Sequence, residues 1–210
     1  MEIKYNKIPN SIIRKIKREA PSYTYGESFG RYNGIHSESN EYTRSYKSII
    51  IYVQNGLSDK FDLFIIIAKA IFKIQENNYR KYPLLVLGFG HTNNLQHEKK
   101  YFDFGYQCDA FNVKKVAETI SRISGNTKIT KAVIPELFPK TDIRSLYTGK
   151  IKIDSDDLLI IIGRKNEVFF SEDLRNKIKR NIKKHIFLVE IENGNVNYIF
   201  KPKELNFINP

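Results

Sequence analysis

The stretch SIIIYVQNGLS, Ser48 to Ser58, decides how this chain reads. Ser48 to Val53 is a short β-branched run of the kind that forms a strand buried on both faces. Gln54 to Ser58 is a polar break. Lys60 to Gln75 is then long enough for a helix, and from Leu63 to Phe72 it is apolar nearly all round, as a helix buried against a sheet is.

The same pattern continues outward. Leu84 to Phe89 (LLVLGF) predicts a second central strand, and the alternation in Tyr101 to Tyr106 predicts an edge strand. Asp109 can cap a helix over 110–123, where Val113, Val116, Ala117 and Ile120 recur at helical spacing and Gly125 breaks the run. A shorter helix is expected near Thr130, with Pro135 as its kink or stop. Leu158 to Ile162 and Ile186 to Ile191 read as strands. Between them, Ser171 caps a helix over 172–184 with the stripe Leu174, Ile178 and Ile182. Asn193-Gly194 is a turn signal that folds Val196 to Phe200 back as a hairpin. Strands alternating with helices predict an α/β fold: a doubly wound, mostly parallel central sheet with helices on both faces and an antiparallel edge strand.

Upstream, Asn10 or Ser11 can cap a helix whose apolar side is Ile12, Ile13 and Ile16 and whose remainder is basic. Residues 20–46 carry Pro21, Gly26, Gly30, Gly34 and five tyrosines, and read as an extended arm. The expected division is an N-terminal helix and Tyr/Gly-rich arm over 1–46 and an α/β domain over 47–210.

Composition sets the partner classes. Thirty-five Lys and Arg against 23 Asp and Glu give a net charge of +12, which favours anionic partners. Lys, Ile and Asn are abundant, as an AT-rich genome would produce. The single cysteine, Cys108, excludes an intrachain disulfide framework and suits a reducing compartment. Met1 to Glu19 lacks the apolar region of a signal peptide, and Leu63 to Phe72 falls far short of the ~20 residues of a membrane span. A cytoplasmic location without a membrane partner is expected.

In an open α/β sheet, ligands bind beyond the carboxyl ends of the strands at the switch point. Three segments should converge there: Gln54-Asn55-Gly56-Leu57-Ser58, Gly125-Asn126-Thr127 and Gly163-Arg164-Lys165-Asn166. With this layout, residues 47–200 resemble a von Willebrand factor A domain. In that family the first strand ends in Asp-x-Ser-x-Ser, a Gly-x-Thr loop precedes a later helix, and the fourth strand ends near an Asp; together they form a metal-ion-dependent adhesion site. Here Gln54 stands at the Asp position, Gly56 at the first Ser and Ser58 at the second. Thr127 in GNTKITKAV matches the threonine, and Gly163 or Arg164 replaces the last Asp. The resemblance therefore implies a degenerate metal site. A hard dication needs anionic oxygen, so no tight Mg²⁺ and no cofactor are expected. Asp59 and Asp62 fall at the start of the next helix, Asp59 as its cap and Asp62 exposed.

The remaining chemical candidates are weaker. His91 and His97 flank a polar loop and with Asp103 offer zinc-ligand types, but their spacing matches no standard motif and they read as loop histidines. Gly88-Phe-Gly90 lacks the third glycine and the helix of a phosphate loop. Cys108 has no neighbouring base.

Three functions follow in order of support. The first is a non-catalytic protein-binding module whose rim contacts come from Gln54, Asn55, Gly56, Ser58, His91, Thr127, Gly163 and Arg164. The resemblance implies a MoxR-like AAA ATPase as one partner. The second is a nucleic-acid-binding protein using Arg14, Lys17, Arg18, Lys177, Arg180 and Lys184 on phosphates, with Tyr23, Tyr25, Tyr32, Tyr42 and Tyr46 as a stacking arm. An enzyme is the least supported, since no acid–base pair is visible.

Overall fold

The computed structural model describes residues 5–24, 42–54, 56–76, 81–89, 96–103, 110–125, 156–165 and 185–202. Their elements follow in the order α1 (Asn10–Glu19), β1 (Ser22–Thr24), β2 (Tyr42–Arg44), β3 (Ile49–Gln54), α2 (Phe61–Ile74), β4 (Lys81–Phe89), β5 (Gln96–Asp103), α3 (Ala110–Gly125), β6 (Leu158–Arg164), β7 (Ile186–Glu192) and β8 (Asn195–Phe200). The helices expected near Thr130 and over 172–184 lie outside the described residues.

Six strands form one sheet in the order β5-β4-β3-β6-β7-β8. The central four run parallel, with β3 between β4 (Ile51↔Val86) and β6 (Ile51↔Ile160), and β6 beside β7 (Ile161↔Leu188). Both edge strands, β5 and β8, are antiparallel. The expected α/β class with a mostly parallel sheet is therefore the observed one.

β3 is buried at all six positions. Side chains alternate faces along a strand. Ile49, Ile51 and Val53 join Leu158, Ile160 and Ile162 on the face that receives α1, α2 and α3, where Ile16, Leu63, Ile67, Val116 and Ile120 complete one core. On the opposite face Ile50, Tyr52, Leu159, Ile161, Ile186 and Leu188 are buried too. Burial on both faces explains why these strands read as continuous apolar runs.

The edges behave differently. β5 begins at Gln96, before the expected Tyr101–Tyr106 strand, and includes its Tyr101 to Asp103; residues 104–106 lie outside the described residues. Its polar QHEKK half pairs with the apolar half of β4, as in Leu85↔Lys99 and Leu87↔His97. An edge strand tolerates charge that a central one cannot, and Lys there discourages pairing with other chains. His97 is thus a strand residue rather than part of a loop. At the other edge, Asn193 and Gly194 both have positive φ, 48° and 80°, as a two-residue turn between twisted strands demands.

Two capping expectations are corrected. Pro9 holds the N-cap position of α1 rather than Asn10 or Ser11, and its fixed φ suits helix entry. Lys60 holds that of α2, while the Asp59 carboxylate accepts from Lys60 Nζ instead of capping.

The C-terminal end of α1 is closed by the segment that follows β1. The last carbonyls of a helix lack intrahelical partners. Tyr46 Oη donates to Ile16 O at 2.8 Å, Ala20 N donates to Lys17 O, and an Arg44 guanidinium N–H donates to Arg18 O. Tyr46 is fully buried, with its ring edge-on to His185 at 5.3 Å. It therefore cannot belong to an exposed base-stacking arm.

Replacing Tyr46 by Phe leaves the Ile16 carbonyl buried without its donor and should cost about 1–3 kcal/mol in urea unfolding. Burial raises the pKa of Tyr46 and Tyr52, and that of Tyr198 to about 12. A raised folded pKa keeps its contribution to stability below the unfolded value near 10 and loses it as pH rises above that. Ultraviolet titration should show these phenols ionising together with cooperative alkaline unfolding.

Candidate binding rim at the switch point of the sheet

In strand order counted from β3, the sheet runs 3-2-1-4-5-6, so the chain leaves β3 in opposite directions on its two sides. The switch point lies between the carboxyl ends of β3 and β6, where open α/β sheets place their ligand crevice. Gln54 ends β3 and Arg164 ends β6.

Gln54 is only 4% exposed. A polar side chain so buried needs partners. Its Oε1 accepts the backbone N–H of Arg164 at 2.6 Å. The Arg164 guanidinium turns back across the crevice and donates to Gly56 O at 3.1 Å. Side chain and main chain thus bridge the two strand ends in both directions. Gly163, one residue earlier, is buried within β6 and opposite Glu190 of β7.

The second half of the joint comes from α3. Ser124 is fully buried. Its Oγ donates to Gln54 O at 2.7 Å and accepts from Leu57 N at 2.9 Å, while Ser124 O accepts from Gly56 N at 2.8 Å. Gly56 has φ +84°, a conformation that costs a residue with a Cβ and lets the turn reverse here. Gly125 follows. A Cβ placed on it would lie 3.2 Å from Ser58 Cβ, so helix and turn meet at a separation that favours glycine. Ser121 Oγ adds a bond to Ser58 O at 3.3 Å.

Gln54, Gly56, Ser58, Gly163 and Arg164 are therefore brought together as expected from the sequence. Gly56 and Ser58 are exposed and Arg164 is partly so. Asn55, His91 and Thr127 lie outside the described residues, as do Lys177, Arg180 and Lys184. Arg14 and Arg18 are exposed on α1, whereas Lys17 is ion-paired at 3.4 Å with Glu76, just beyond the end of α2. His97 and Asp103 sit six residues apart in β5, roughly 20 Å along an extended strand, so they cannot share a metal ion. Among the described residues no group of three or more His, Cys, Asp or Glu is placed to hold a metal.

Sequence reasoning missed Ser124, which ties α3 to the end of β3 and to the turn at Gly56 and Leu57. A signal was present: Val113, Val116, Ala117 and Ile120 form the buried stripe of the helix, and Ser124 continues it at i+4. A polar residue on a buried stripe must find partners.

Ser124→Ala should destabilise the protein by about 2–4 kcal/mol, because it strips partners from two buried backbone groups. The urea midpoint should fall with the slope unchanged.

No family model matches the chain, and no curated protein matches it. Among solved structures it is similar to a von Willebrand factor type A protein from Catenulispora acidiphila. The likeness has 11% identity and a TM-score of 0.34, over 73% of this chain and 40% of that one. This chain thus spans less than half the length of that protein. No described helix is long and apolar enough to cross a membrane.

Proposed function

We propose that this chain is a non-catalytic protein-binding module of von Willebrand factor A type, in which the metal-bridged contact is replaced by a direct one at Arg164. The observation that carries the reading is the bridge across the switch point. Where the sequence resemblance would place a metal-binding Asp, the Gln54 amide oxygen is committed to the Arg164 N–H at 2.6 Å.

The residues at these positions do not fit a dication. Mg²⁺ keeps a near-octahedral oxygen shell and needs carboxylate charge to offset its dehydration. At the strand ends stand an amide, a backbone N–H and a guanidinium. Asp59 is ion-paired with Lys60, and Asp62 points outward from the first turn of α2. A fixed cation on a planar guanidinium suits a partner carboxylate held by paired N–H bonds, without an intervening metal.

Gly56 and Ser58 would supply the rest of the described contact; Asn55, His91 and Thr127, which the sequence also puts forward, lie outside the described residues. An adaptor role beside a MoxR-like AAA ATPase is the assembly the resemblance implies. Gln54 would act from beneath, by fixing the backbone on which Arg164 stands.

The test is affinity capture from source extract with EDTA present, comparing the wild type with Arg164→Glu and identifying captured proteins by mass spectrometry. The reading expects one stoichiometric protein partner, retained in EDTA and lost on charge reversal, with the variant's melting temperature close to wild type. A partner that needs Mg²⁺, or one indifferent to Arg164→Glu, would contradict it.

A further inference from the structure

The edge of the helical layer opposite the rim carries a concentration of cations. α2 starts beside the carboxyl end of β3 and runs back along the sheet for 14 residues, about 21 Å. Its C-terminal end therefore lies at the far edge. α1 reaches the same edge, because Lys17 in its last turn pairs with Glu76 just beyond α2. α3 begins there and ends at the rim, where Gly125 meets Ser58.

Arg14, Lys15 and Arg18 of α1, Lys69 and Lys73 of α2, and Lys114 and Lys115 of α3 are all exposed on this layer. Arg44 is exposed as well and is tied to the α1 terminus through Arg18 O. The nearby acids are largely occupied: Glu76 by Lys17, Glu118 by Lys114 at 3.7 Å, and Glu19 by Lys201 at 2.7 Å. Arg14, Lys15, Arg18, Lys69 and Lys73 form no ion pair with another described residue. Helix stability does not explain the whole set. The macrodipole rewards cations in a last turn, as at Lys17, Arg18 and Lys73, but gives nothing to Lys114 and Lys115 near the start of α3.

We propose that this edge, built on Arg14, Arg18, Arg44, Lys69 and Lys73, is a docking surface for the phosphate backbone of a nucleic acid. Three features select that partner. Arg14 and Arg18, like Lys69 and Lys73, are spaced i, i+4, about 6 Å along a helix, so each pair presents its charges on one exposed face. The apolar side of α1 is consumed by the core through Ile13 and Ile16, which leaves no apolar face to insert into a bilayer. Among the residues whose side chains are described, no exposed aromatic stands beside these cations as the anchor that centres a protein–protein interface does. Cations spaced regularly along helices match rows of phosphates and read no base edges, which suits duplex binding independent of sequence. The proposal uses the edge away from Arg164 and stands or falls separately from the rim reading.

The experiment is fluorescence anisotropy of the full chain with a labelled 25-base-pair DNA duplex, repeated from 50 to 200 mM salt. Four or more phosphate contacts predict that log K falls with log salt at a slope of about −4 or steeper. Lys69→Glu with Lys73→Glu should weaken binding at least ~10-fold and flatten that slope by about 2, and Arg14→Gln with Arg18→Gln should do the same. The control Lys7→Glu with Arg122→Glu makes an equal charge change away from this edge, Arg122 being in the last turn of α3 and Lys7 two residues after Tyr5, which bonds Lys60 at the start of α2, and should alter affinity less than about 2-fold. Circular dichroism melting verifies that each variant is folded. Absence of duplex binding at 50 mM salt, equal losses in the α2 variant and the control, or tighter binding to phosphatidylserine vesicles than to the duplex would each overturn the proposal.

Discussion

At the centre of the sheet, a strand of six buried residues ends in an amide that must not be left unsatisfied. Gln54 solves this by accepting the N–H of Arg164 from the neighbouring parallel strand and, through its backbone carbonyl, the hydroxyl of Ser124. A buried polar group without a partner would cost roughly 1–3 kcal/mol, a sizeable share of a typical domain's stability. The register of β3 on β6, the path of the 56–58 turn and the position at which α3 stops are all held by groups that meet at this one residue.

The same bonds shape the surface above. An open α/β sheet leaves a crevice at its switch point because neighbouring connections depart to opposite faces. Here the crevice is crossed by the Arg164 guanidinium on its way to Gly56 O. The rim thus presents a fixed positive charge on a backbone that Ser124 and Gly125 hold from the other side. Charge on the helical layer is arranged separately, at the far edge: one guanidinium crosses the crevice at the rim, and exposed cations stand on the helices at the other end.

Much of this was legible in the sequence. Runs such as SIIIYV and LLIII announce strands buried on both faces, and the helical recurrence of Val113, Val116 and Ile120 announces a helix within a turn of its true end. The convergence of Gln54, Ser58 and Arg164 followed from element order alone. What escaped was set by partners distant in sequence. β5 is polar where a strand was least expected, because an edge needs pairing on one side only. Tyr46 looked like part of an exposed aromatic arm, yet it caps a helix end thirty residues upstream. Ser124 fell just past the expected helix, yet its hydroxyl ties α3 to the end of β3 and to the turn that follows. In each case the local pattern was ordinary and the decisive hydrogen bond was non-local.

In the function proposed above, the bridge between Gln54 and Arg164 stands in place of a bound dication. Isothermal titration of the full chain with MgCl₂, alongside thermal melting in 10 mM Mg²⁺ and in EDTA, measures this directly. A ligand that binds only the folded state raises its stability by mass action. No saturable heat and no Mg²⁺-dependent change in melting temperature are expected. Saturable Mg²⁺ binding that raises the melting temperature and disappears in Gln54→Ala would contradict that reading.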